Sequence, residues 1–113
     1  MEPKMKKQTI ILLALLILAS PSFAFEPIVV NGSGSQLSNS VFLDAGFYKV
    51  ISKYDGQRNF IVRLLNKDGK SIAIVANCID SCKVSDGVKI SVGGKYYFNV
   101  MSKGYWSIAI TEP

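Results

Sequence analysis

Tyr96-Tyr97-Phe98-Asn99-Val100-Met101-Ser102-Lys103-Gly104-Tyr105-Trp106-Ser107-Ile108-Ala109-Ile110-Thr111 holds two alternating runs separated by a Lys103-Gly104 turn signal. Tyr96, Phe98 and Val100 fall on one side of the first run, with Lys95, Tyr97 and Asn99 on the other. Trp106, Ile108 and Ile110 oppose Ser107, Ala109 and Thr111 in the second. A period of two is the signature of a strand with one buried face, and helical spacing is absent. The stretch is therefore read as two antiparallel strands.

The same pattern extends toward the N-terminus. Tyr48, Val50 and Tyr54 share a side opposite Lys49 and Lys53, and Phe60, Val62 and Leu64 are set against Arg63. Ile72, Ile74 and Ala76 form the inward set expected for Ser71 to Asn77, and Val88, Ile90 and Val92 the one expected after it. Turn signals separate these runs at Asp55-Gly56, Asn66-Lys67-Asp68-Gly69, Asp86-Gly87 and Gly93-Gly94, each with a residue that tolerates positive φ. With short strands at Ile28 to Val30 and Val41 to Leu43, about eight strands result. The expected fold is all-β, an antiparallel two-sheet sandwich or jelly roll, with the Gly/Ser-rich Asn31 to Asn39 as a loose connection.

Ahead of this body, Lys4, Lys6 and Lys7 precede an apolar run from Ile10 to Ala19, and Ser20-Pro21 breaks it before the small-residue site Ser22-Phe23-Ala24. Residues 1–24 are read as a secretory signal peptide and residues 25–113 as one β-sandwich domain. The run is about half of the roughly 20 apolar residues a spanning helix needs, so no stable membrane insertion is expected after cleavage. Translation starting at Met1 or at Met5 fits equally. The expected location is the bacterial periplasm or the cell exterior.

Without the leader, ten basic residues face seven acidic ones, a net charge of +3. The basic residues are spread one or two per segment, where nucleic-acid binders concentrate theirs, so no nucleic-acid partner is expected. Cys78 and Cys82 are expected to form a disulfide that closes a five-residue ring, as suits an oxidising compartment. A redox pair would favour the Cys-x-x-Cys spacing, and zinc would require more ligands than a histidine-free chain provides.

The strand pattern resembles a family of small β-sandwich domains of secreted bacterial and archaeal proteins. The resemblance rests on Val41 to Leu43 with Ala45-Gly46-Phe47-Tyr48, on Tyr54 to Val62, on Asn77, on Gly94 to Val100, and on the closing Gly104-Tyr105-Trp106-Ser107-Ile108-Ala109-Ile110 strand. It implies a sandwich fold and no uniform chemistry. The chain departs from the pattern after Asn77, where Cys78 to Cys82 replaces a glycine-containing turn.

With no histidine, serine and cysteine lack the usual imidazole base. The aspartates sit mostly in turns, without calcium-loop spacing. No enzyme activity, cofactor or metal is expected. Binding is the expected role, through a polar and aromatic patch of Tyr97, Tyr105, Asn99, Lys49 and Lys53, or through Ile79 on the Cys78–Cys82 loop. The expected partner is a protein, a glycan or another envelope component. The alternatives are a carbohydrate-binding module using Tyr97 and Tyr105, or Trp106, and an inhibitor of an envelope-directed enzyme presenting Ile79.

Overall fold

The computed structural model describes residues 25–113, and the expected leader lies outside them. Nine strands follow in chain order: β1 (Ile28–Ser33), β2 (Gln36–Leu37), β3 (Val41–Leu43), β4 (Gly46–Asp55), β5 (Asn59–Leu65), β6 (Ser71–Ile79), β7 (Cys82–Ile90), β8 (Gly94–Met101) and β9 (Tyr105–Thr111). Pairing is antiparallel and nested: β1 with β9, β2 and β3 with β8, β4 with β7, β5 with β6. Two further pairings, β4 with β9 and β5 with β8, complete the sheets. One sheet runs β1-β9-β4-β7 and the other β2-β8-β5-β6, with β3 beside β2 on the same edge of β8. This is a long hairpin rolled into two layers, the jelly-roll order. The expected fold class is observed.

Alternation places one side of each strand in the interior. Phe60, Val62, Leu64, Phe98 and Val100 of one sheet and Val50, Ile90, Trp106, Ile108 and Ile110 of the other are buried. Tyr54 lies flat on Phe60, ring centroids 4.5 Å apart. Buried phenols need partners for their hydroxyls, and three reach loop carbonyls: Tyr48 donates to Asp44 at 2.8 Å, Tyr54 to Gln57 at 2.6 Å, and Tyr96 to Val92. Each hydroxyl thereby ties a strand to a turn. Burial, aided by the Asp44 carboxylate, raises the Tyr48 phenol above its ordinary range. The neutral phenol is the form the fold favours, so its contribution persists below about pH 10 and fades as pH climbs through the raised value.

Ser52 is fully buried, and its hydroxyl has no hydrogen-bond partner among the described residues. An unpaired buried hydroxyl costs about 1–3 kcal/mol. Ser52→Ala is therefore expected to raise the unfolding free energy by about 1 kcal/mol, read from urea midpoints. A loss of stability would show that the hydroxyl is satisfied in solution.

At one end of the sandwich two turns interlock. Arg58 N–H donates to the Asp80 carboxylate and Asp80 N–H to the Arg58 carbonyl, each at 3.0 Å. Both residues have positive φ, 67° and 64°. Such backbone persists in non-glycine residues only where neighbours over-determine it, and the reciprocal bonds provide that constraint. The Cys78–Cys82 disulfide closes the same turn, and Ser81 Oγ donates to the Gly56 carbonyl at 3.3 Å. At the chain ends, Phe25 N–H donates to a Glu112 carboxylate oxygen at 3.0 Å.

Four local expectations are corrected. Ile72 and Ile74 are 41% and 51% exposed, and the inward residues of β6 are Ala73, Val75, Ala76 and Cys78. Register shifts at Val62/Arg63 and Leu64/Leu65 leave Val75 and Ile72 as extra residues in β6, and each bulge resets the alternation. Asp86-Gly87 is not a turn but lies within β7, and the chain reverses at Asp80-Ser81 instead. Val92 follows β7 and is 73% exposed. Asn31 to Asn39 is not a loose connection: it continues β1 and forms β2, fixed onward by Ser38, whose N–H donates to the Phe98 carbonyl and whose Oγ accepts from Phe98 N–H.

Candidate functional site

The residues expected to form one patch fall on opposite sides of the sandwich. Tyr97 and Asn99 stand on the outer face of the five-stranded sheet, because β8 belongs to it. Tyr105, Lys49 and Lys53 stand on the outer face of the four-stranded sheet, with β9 and β4. Alternation distinguishes inward from outward but does not say to which layer a strand belongs. Ile79 pairs with Asn59 and falls with Tyr97 and Asn99, 70% exposed beside the disulfide.

The outer face of the five-stranded sheet sets apolar side chains around a polar centre of Asn99 and Arg63. One row runs Leu37, Asn99, Arg63, Ile74 across the strands, flanked by the pairs Tyr97–Leu65 and Met101–Ile61. Leu37, Ile74 and Met101 are exposed, and Phe42 beside Lys95 extends the face at 63% exposure. None of its strand residues is acidic. Exposed apolar side chains around an arginine and a tyrosine have the composition of interface cores. Sequence reasoning missed this surface. Its members come from five strands, and one of them, Ile74, was expected inside.

The outer face of the four-stranded sheet has a different character. Lys49, Lys53, Lys83 and Lys89 all point outward, with Asp55 as the only acidic residue at an outward register position. Lys53 sits directly opposite Lys83, and Lys89 Nζ lies 5.8 Å from the Phe47 ring centroid. Along β9 the side chains are short, Ser107, Ala109 and Thr111, until Tyr105, which is 71% exposed.

Trp106 is 3% exposed and donates its Nε1–H to the Gly34 carbonyl at 3.0 Å. Its indole packs over Gly32, its cross-strand partner, where a Cβ would come within 2.7 Å of Cζ2. A ring placed this way belongs to the core and offers no platform for a sugar. Among the described residues, no cluster of three His, Cys, Asp or Glu side chains is arranged to hold a metal ion. No helix among them is long and apolar enough to cross a membrane.

The fold and its two contrasting outer faces define an all-β jelly-roll sandwich. No protein-family model matches the chain, and no curated protein matches it either.

Proposed function

We propose that the protein is exported, freed of residues 1–24, and acts by binding rather than catalysis, docking a protein of the bacterial envelope or extracellular space through the outer face of the five-stranded sheet. The observation that carries this reading is the apolar surface of Leu37, Tyr97, Met101 and Ile74 around Arg63. A second copy is a poor occupant, because a two-fold pairing centred on this face would bring Arg63 close to its own equivalent, and none of the strand residues of the face is acidic to neutralise the pair. A partner with an apolar surface and an acidic rim complements it. Ile79, on the disulfide-closed turn, extends the surface at one end, and fixing that turn in advance lowers the entropy lost on docking. The disulfide itself suits an oxidising compartment.

A photo-crosslinking side chain at Asn99 in producing cells is expected to yield one discrete protein adduct. Arg63→Glu combined with Leu37→Glu should abolish the adduct without lowering the melting temperature, and the same probe at Ser107 should give none. Adducts formed equally from both positions, or from Ser107 alone, would defeat the proposal. N-terminal sequencing of the recovered protein is expected to begin at Phe25.

A further inference from the structure

We infer that the outer face of the four-stranded sheet is a second, independent binding surface, built to hold an acidic polysaccharide along β4 and β9. The basic residues are dispersed in the sequence, but strand register gathers four lysines onto this face. Lys53 and Lys83 are directly opposed, an arrangement that costs stability unless an anion lies between them. Protection of an exposed sheet edge accounts for lysines on β7, the edge strand. It does not account for Lys49 and Lys53, which lie on β4 between β9 and β7.

The rest of the face specifies the class of anion. Lys53, Asp55, Tyr105 and Ser107 line a shallow depression of about 270 Å³. The exposed Tyr105 ring provides an apolar face on which a pyranose can stack, losing little side-chain entropy because the ring is rigid. Asp55 accepts hydrogen bonds from sugar hydroxyls, and Ser107 both donates and accepts. Lys53, Lys83 and Lys49 then meet the carboxylates of successive residues. Short side chains at Ser107, Ala109 and Thr111 leave a low strip beside the β4 lysines along which a chain can lie. A lipid bilayer would instead favour several protruding apolar side chains among the lysines, whereas Phe47 stands beside them and the other exposed apolar side chain of the sheet, Val29, lies on β1 across β9 from them.

The test uses immobilised polygalacturonate, with neutral dextran and vesicles of phosphatidylcholine and phosphatidylglycerol as comparisons. The protein is expected to bind polygalacturonate, to lose affinity as salt rises, and to leave dextran unbound. The triple change Lys49→Gln, Lys53→Gln, Lys83→Gln should weaken binding about tenfold. Tyr105→Ala should weaken it several-fold, with Tyr105→Phe restoring it. The paired change Arg63→Gln, Lys95→Gln, which removes two cations from the opposite face, should leave it intact. The inference is overturned if polygalacturonate is not bound, if the opposite-face pair weakens binding as much as the triple change, or if only the vesicles are bound. The Asn99 crosslink reports on the other face, so either surface can fail without the other.

Discussion

Phe60→Ala is expected to lower the unfolding free energy by about 3–5 kcal/mol, measured from denaturant midpoints at constant slope. Phe60 is 0% exposed and stacks on Tyr54. Removing the ring forfeits its burial and leaves a cavity that close-packed neighbours refill only in part. It also withdraws support from Tyr54, whose hydroxyl holds the Gln57 carbonyl and accepts from Lys103 N–H at 3.1 Å. The loss should therefore reach two turns beyond the cavity. Phe42→Ala provides the contrast: that ring is exposed, and its removal should change stability by less than about 0.5 kcal/mol. Equal losses from both variants would contradict the layered core.

Gly104→Ala should destabilise by about 2–3 kcal/mol although it adds a single methyl group. A Cβ at Gly104 would stand 2.5 Å from the Asp55 carbonyl oxygen and 2.9 Å from the Gly56 Cα. Both are backbone atoms of the β4–β5 connection, so no side chain can rotate out of the way. At Gly94 a Cβ would meet nothing within 4 Å, and Gly94→Ala should be nearly neutral. Thermal melts of the two variants decide the matter, and similar midpoints would mean that the two turns are not in contact. Gly56→Ala meets a firm obstacle too, because a Cβ there would stand 2.6–2.8 Å from the hydroxyl and two ring carbons of Tyr54, a buried ring stacked on Phe60.

Much of the fold was legible before the structure because the strands that build the centre alternate without interruption. In β4, β5, β8 and β9 the residues expected inside, from Tyr48 to Ile110, are the ones buried. Legibility failed where geometry ceased to be local. Two bulges in β6 turned Ile72 and Ile74 outward, and no residue type in Ser71 to Ile79 marks them. Asp86-Gly87 has a turn's composition yet stays extended, held by nine register pairs between β4 and β7. Gly104 was recognised as a turn residue, but its requirement comes from the approach of another turn rather than from positive φ.

The candidate surfaces were less legible for a related reason. Tyr97 and Tyr105 both alternate outward, eight positions apart across a turn signal, and a simple hairpin would have set them on one sheet. In the nested pairing β8 and β9 separate into different layers, so neighbours in sequence become opposites in space. The lysines illustrate the converse: Lys49 and Lys53 of β4 are far along the chain from Lys83 and Lys89 of β7, yet the two pairs share one face of the sheet.

The bond between Phe25 N–H and Glu112 joins the first described residue to the far end of the chain, beside the β1–β9 pairing. Cut after Ala24, that amide nitrogen would become a free ammonium facing a carboxylate, an ion pair in place of a hydrogen bond charged on one side only. Proteolytic maturation would then fasten the two ends of the polypeptide together, and the finished protein would be more firmly closed than its precursor.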